Sequence, residues 1–337
     1  MPPKKQRLAT KVQKLVRNRK QLEAENGTAL QSDVSKVASE TSTTLGMVTG
    51  KAKLNLGSLL PKAGTEPEKL KSNKRPLRAV VDMEMMKSEL KQRQDPPTTP
   101  EEQLLSANRL SFEFFDVPSE TLAKNLLGKI LVRRLENGTI LKGRIVETES
   151  YLGGEDRASQ TYGNKITPRN VPMYMPPGTI YVYLTYGMYH CFNISSKGDG
   201  SGVLIRALAP IEGMDQMTEF RNLPLPGSKP KQGVDGAKKL AKKNFKVHEL
   251  SNGPSKFCIA FALSRDHTKY SACEWRGLWI EDDEENDGAG VIEIVECPRI
   301  GIDSAGPEWA MKPLRFYVLG DRSVSKVDKK AEAELRM

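Results

Sequence analysis

The sequence predicts an α+β fold: a single compact domain with an antiparallel sheet, flanking helices and a protruding β-hairpin, preceded by a disordered basic tail. Three observations point there. Strand-like and helix-like segments intermix without the regular alternation of a doubly wound sheet. Two strand pairs, Lys129–Leu135 with Thr139–Glu149 and the two halves of Gly178–Ile194, meet at short turns containing Asn137-Gly138 and Tyr186-Gly187. All 21 Phe, Trp and Tyr of the 337 residues fall at or after Phe112. Charge divides at the same place. Residues 1–100 hold 20 Lys+Arg and 10 Asp+Glu while the rest hold 32 of each, so the net +10 belongs to the first hundred.

Taken in chain order, residues 1–105 read as the tail. Without aromatic anchors they cannot bury enough apolar surface to offset the entropy of ordering. Lys4-Lys5-Gln6-Arg7 fits a short nuclear-import pattern, and such tracts also touch nucleic acid or simply solubilise. The lack of acids before Glu23 also permits a mitochondrial transit reading, against which stand Pro2-Pro3 and the scarcity of Ser. Nuclear delivery is therefore expected, with a mitochondrial fraction as the alternative. Val80–Leu90 can form a transient helix for a repair-protein partner, and the Pro-rich 92–100 reads as a boundary. The domain follows over 106–323. Ser119 is expected as the N-cap of a helix ended by Gly128. The first strand pair comes next, then the second. Residues 221–249 read as a Pro/Gly/Lys-rich surface excursion ending in a short basic helix, Glu281–Asp287 as an acidic loop tip, and 324–337 as a second charged tail.

Several classes are excluded. No run of about 18 apolar residues exists to span a membrane, and the N-terminus has no apolar signal core. Cys191, Cys258, Cys273 and Cys297 form no CxxC pair and read as reduced, buried thiols. His190, His248 and His267 have no metal-ligand spacing, so neither metal nor cofactor is expected. The zinc-deaminase signature is missing too.

Chemistry concentrates between 147 and 206. Seven of the nine tyrosines lie between Tyr151 and Tyr189. Tyr181 and Tyr183 alternate with Ile180, Val182 and Leu184, so one strand face carries tyrosine and the other aliphatics. The bland reading is a tyrosine-rich β-core. The sharper one is a stacking surface for a flat polar ligand such as a base, with Tyr186 as an aromatic at the hairpin tip able to wedge into a duplex. Upstream, Glu147, Glu149 and Tyr151 share one strand face. Two carboxylates beside an aromatic make an acid/base site or, equally, a solvated strand face.

These segments carry a resemblance. Glu147-Thr148-Glu149-Ser150-Tyr151-Leu152-Gly153, Thr167-Pro168-Arg169-Asn170, Pro177-Gly178-Thr179-Ile180-Tyr181-Val182-Tyr183, Tyr186-Gly187-Met188-Tyr189, Asn193-Ile194-Ser195, Val203-Leu204-Ile205-Arg206-Ala207 and Pro313-Leu314-Arg315-Phe316-Tyr317-Val318 resemble, in order, the alkyladenine (3-methyladenine) DNA glycosylase family. The resemblance covers about 110–323. It implies that Glu149 is the general base, and that Arg206 lies near the catalytic water and the flipped nucleotide's phosphate. Tyr151 and Tyr183 would sandwich the extruded base, with Asn193 opposing the 2-amino group of guanine and Tyr186 intercalating in its place. Where the family usually has a histidine, nine residues after Tyr151, this sequence has Gln160. Gln160 keeps the main-chain N–H that the family uses but loses imidazole packing, which implies an altered substrate range or weaker binding rather than loss of chemistry. Ser150 stands for the usual alanine and faces away from Glu149.

The expectation is a monofunctional DNA glycosylase of base excision repair, probing double-stranded DNA as a monomer. Its expected substrates are 3-methyladenine, 7-methylguanine, ethenoadenine and hypoxanthine. No lysine stands at a nucleophile position in the matched segments, which disfavours Schiff-base chemistry. The rival is a non-catalytic base-flipping module that binds damaged DNA, supported only by Gln160.

Overall fold

The structure is a computed structural model that describes residues 91–224, 243–283 and 292–336. The Lys4–Arg7 tract, the Val80–Leu90 segment, the expected basic helix and most of the acidic tip lie outside the described residues.

Strands β1 (Ile130–Arg134), β2 (Ile140–Tyr151), β3 (Ile180–Thr185), β4 (Tyr189–Ser195), β5 (Gly202–Glu212) and β6 (Leu278–Glu281) form one sheet in the order β3-β4-β5-β2-β1-β6. Strands β7 (Ile294–Cys297) and β8 (Arg315–Val318) join it through β2. All named strand pairs are antiparallel, and helices pack against the sheet, as the α+β reading expects.

β2 organises the site because it changes partner halfway. Its first part pairs with β1, and Glu147, Thr148 and Glu149 pair with β8. Along its other edge β5 follows throughout, with register shifts between Ile145 and Thr148. Such a bulge bends a strand and re-aims its side chains. Here Val146 joins a small second core with Val295 and Tyr317, while the preceding Ile145 packs in the main core.

The main core lies on the other face of the hairpin strands. Ile180, Val182, Phe192 and Ile194 pack there with Phe257 and Phe261. The Phe192–Phe257 and Phe257–Phe261 rings meet edge to face at 5.7 and 5.3 Å, an arrangement worth about 1 kcal/mol per pair beyond burial.

Local chemistry differs from the sequence expectation at five places. Pro118, not Ser119, caps the helix Ser119–Asn125; the buried Ser119 hydroxyl instead accepts a 2.8 Å bond from Ser150 Oγ. At Asn137-Gly138 only Gly138 has positive φ (84°), so the hairpin closes through a glycine bulge between Leu135 and Thr139. The boundary at 106 is too late. A strap from Gln92 carries the helix Pro100–Leu105 and docks through Trp275 Nε1 on Asp95 (3.0 Å) and Arg276 on Asp95 and Glu102. Residues 324–336 are charged but not detached: Val324 is buried in the second core, and the helix Lys329–Leu335 follows. Glu281, expected at a loop tip, closes β6, buried against Lys142 and Trp279.

Candidate active site

Antiparallel register brings one row of residues together. Glu149 pairs with Leu204, Leu204 with Asn193, and Asn193 with Tyr181. The next row of the hairpin pairs Tyr183 with Cys191. Paired residues share a sheet face, so one face carries the tyrosines, Asn193 and the carboxylates. A cleft of about 410 Å³ opens over it, lined by Glu149, Tyr151, Gln160, Tyr183, Tyr186, Asn193 and Arg206 among others. All seven residues singled out from the sequence thus meet in one cavity, in the usual size range for a small-ligand site.

At its floor lies a buried charge network, not a solvated strand face. Glu147 and Glu149 are fully buried. Arg206 donates through Nε to Glu147 Oε1 (3.1 Å) and through Nη1 to Glu149 Oε1 (3.1 Å). Arg315 adds a 3.0 Å bond to Glu147, and the Ser325 N–H donates to Glu147 Oε2 at 2.7 Å. Two carboxylates and two guanidiniums balance, which is the condition for burying ions at all. Burial alone would lower the Arg206 pKa, but Glu149 and Glu147 outweigh it and hold the guanidinium charged. Two Arg206 donors are therefore taken by carboxylates, which suits a residue that positions Glu149.

Glu149 receives two further donors. The Ile300 N–H bonds Oε1 at 2.8 Å and the Tyr151 hydroxyl bonds Oε2 at 2.9 Å. Oε2 thus keeps acceptor capacity beyond the Tyr151 bond, in a residue that lines the cleft. Burial and the neighbouring Glu149 charge push the Tyr151 phenol well up, so it stays a protonated donor. Burial raises Tyr183 likewise.

The walls are held from behind. The Arg299 guanidinium lies 4.7 Å from the Tyr151 ring centre and grips Asp156 through two bonds of 2.5 and 2.9 Å. Asp156 in turn accepts from the N–H groups of Leu152 and Ala158, fixing the loop that leads to Gln160. On the other side Arg169 sits 5.2 Å from the Tyr183 ring centre. Asn193 donates its amide to the carbonyls of Tyr181 (3.1 Å) and Cys191. Gln160 is exposed, and its carbonyl accepts from Asn170 Nδ2. Its N–H makes no hydrogen bond among the described residues.

Tyr186 stands at the hairpin tip, 88% exposed, with φ of 50°. Both it and Gly187 (φ 71°) are left-handed, which defines a type I′ turn between Thr185 and Met188. A bulky side chain in that region is strained, and its exposure means that the fold gains little from the ring.

Arg299, Asp156, the Ile300 N–H and the Ser325 N–H went unrecognised in the sequence. They come from irregular segments, where periodicity gives no signal; Pro298-Arg299-Ile300-Gly301 reads only as a turn.

Comparison with known proteins gives the family. Residues 113–322 match the family model described as methylpurine-DNA glycosylase (MPG). The chain is 46% identical over 231 residues to the DNA-3-methyladenine glycosylase of Homo sapiens, covering 67% of this chain and 71% of that one. The Mus musculus enzyme of the same name is 46% identical over 226 residues, covering 67% of this chain and 64% of that one. A putative 3-methyladenine DNA glycosylase of Clostridium perfringens is 42% identical over 223 residues, 65% of this chain and 99% of its own length. The chain belongs to the methylpurine-DNA glycosylase family and is a DNA glycosylase of alkylation repair.

Proposed function

We propose that this protein flips damaged purines out of duplex DNA and hydrolyses their N-glycosidic bond as a monofunctional glycosylase. The observation that carries the reading is the buried Glu149 carboxylate at the floor of a tyrosine-walled cleft whose rim bears an exposed Tyr186. Tyr186 enters the stack as the nucleotide leaves, and the extruded base lies between Tyr151 and Tyr183. Glu149 Oε2 orients a water toward the anomeric carbon and accepts its proton. The water oxygen bonds to that carbon as the bond to the base breaks and its electron pair leaves with the base. Bases that carry positive charge, such as 3-methyladenine and 7-methylguanine, depart neutral. Hypoxanthine and ethenoadenine need a hydrogen-bond donor, a role supported by the Gln160 N–H, which is unbonded among the described residues in a residue that lines the cleft. No lysine lines the cleft among the described residues, so the product is an abasic site without a Schiff base.

The basic first hundred residues support a salt-sensitive, non-specific hold on DNA and a docking region for repair proteins. Lys4–Arg7 supports nuclear delivery. No helix among the described residues is long and apolar enough to cross a membrane.

The test uses the full chain with duplexes carrying a single ethenoadenine, hypoxanthine or 7-methylguanine, followed by alkaline cleavage of abasic sites. Abasic product in excess over protein, with no borohydride-trapped adduct, is expected. Tight binding without product on every lesion would instead mark a probing module, and a trapped adduct would overturn the monofunctional assignment.

A further inference from the structure

Beside the cleft runs a second groove that the reaction leaves unused. It holds about 370 Å³ and is lined by Arg93, Arg169, Arg265 and Lys269, with no carboxylate among its lining residues. We propose that this groove is a track for the DNA sugar–phosphate backbone, completed by Arg93 from the strap that precedes the family-matched residues. The proposal rests on the glycosylase reading above.

The groove is a constructed feature rather than a surface crevice. One wall is the edge of β3. Ile180 and Val182 on that edge are closed by residues 268–270: the Ile180 N–H bonds the Tyr270 carbonyl at 2.8 Å, the Lys269 N–H bonds the Ile180 carbonyl at 2.9 Å, and Thr268 Oγ1 bonds the Val182 carbonyl at 3.0 Å. Further along, Arg169 covers the Leu184 carbonyl at 3.1 Å. The strap then adds a layer outside residues 268–270. The Arg93 N–H bonds the Lys269 carbonyl at 2.9 Å, its Nη1 bonds the Asp266 carbonyl at 2.5 Å, and its guanidinium lies 5.7 Å from the Tyr270 ring centre. Carbonyl oxygens and rings hold Arg93 and Arg169 in place without neutralising them. Neither they nor Arg265 forms an ion pair among the described residues, whereas Arg134, Arg144, Arg206, Arg276, Arg299 and Arg315 each meet a carboxylate.

Position selects the partner. Arg169 and Tyr183 line both the groove and the base cleft. Leu184 on the groove wall is two residues from Tyr186, about 7 Å along the strand. A duplex entered by Tyr186 therefore carries its backbone past these guanidiniums, and a phosphate is the ligand that a pre-oriented, unneutralised arginine recognises best.

The experiment compares the full chain with Arg265→Gln and with Arg93→Gln/Arg265→Gln. Neither residue lines the base cleft. Affinity for an undamaged duplex and for a hypoxanthine duplex is read by anisotropy between 50 and 200 mM salt. Each phosphate contact contributes about 0.9 to the slope of log affinity against log salt. The single variant should lose about 0.9 of slope and the double variant about 1.8, so that the fall in affinity over that salt range shrinks about tenfold for the double variant. Excision at saturating duplex should not change, since the chemistry lies elsewhere. A slope equal to wild type in both variants overturns the track. So does a fall in saturated excision at unchanged slope, which would make the groove a structural support. Failure of the glycosylase reading shows separately, as absent excision by wild type, because the slope on undamaged duplex needs no chemistry.

Discussion

Replacing Tyr186 by Asn should make the protein more stable and worse at its task. The φ of 50° places a bulky L-residue in the left-handed region, where backbone strain amounts to about 1–2 kcal/mol. Asn-Gly is the preferred pair for a type I′ turn, and Asn tolerates this conformation through its short polar side chain. The ring is 88% exposed, so its removal sacrifices little packing. The net expectation is a gain of about 1 kcal/mol, seen as a rise of about 2–4 °C in the melting temperature of a domain this size. In the proposed mechanism the same change removes the stacking partner that fills the vacated site in DNA. Stacking of this kind is worth about 1–3 kcal/mol per base, so the extrahelical fraction of an ethenoadenine, read from its fluorescence, should fall about fivefold or more. A lower melting temperature would show that the strained turn is supported by contacts of the ring. An unchanged extrahelical fraction would remove the wedge role altogether.

Three other outcomes follow from the geometry. Glu147→Gln leaves Arg206 with Glu149 alone and Arg315 with no carboxylate partner among the described residues; unfolding free energy should fall by about 3 kcal/mol or more, and single-turnover excision should slow with KM little moved, whereas wild-type values for both would refute a positioning role. His267 is held neutral by burial and by the adjacent Arg133, with its pKa lowered to about 4. As pH falls from about 6.5 to about 4 the unfolded chain takes up a proton that the folded chain refuses, so stability is lost across that window by up to about 3 kcal/mol; denaturant titrations of wild type should show this loss, and His267→Gln should lack it. Gln160→His adds a flat ring to an exposed position on the cleft rim; affinity for an ethenoadenine duplex should rise about fivefold or more, and an unchanged affinity would show that the wall is complete without it.

Periodicity made much of the sheet readable in advance. Alternation of Tyr181 and Tyr183 with Ile180 and Val182 assigns a pocket face and a core face, and the structure has both. The spacing of Glu147, Glu149 and Tyr151 places them on one face, although only the structure shows that this face is buried and ion-paired. Contacts between distant segments were not readable. The strap at 92–105 looks like tail because its residues are polar, yet Asp95 finds Trp275 across 180 residues of chain. Ser325 sits in a charged terminus and still supplies a main-chain donor to Glu147, 178 residues away. Arg299 carries no periodic signal, and its value lies in Asp156 and the Tyr151 ring, both distant in sequence. Composition detects hydrophobic anchors, and these segments dock mainly through ion pairs and single hydrogen bonds.

In the proposed mechanism the buried carboxylate of Glu149 drives hydrolysis of the N-glycosidic bond. The most direct measurement is single-turnover base release from an ethenoadenine or hypoxanthine duplex by Glu149→Gln, with binding measured on the same preparation. Gln conserves the shape of the side chain and one acceptor but removes the charge and the proton acceptor. Binding to the damaged duplex should stay close to that of wild type, and base release should slow by about 10²–10⁴, the usual share of a general base. Base release at the wild-type rate by a variant that binds normally would contradict this mechanism.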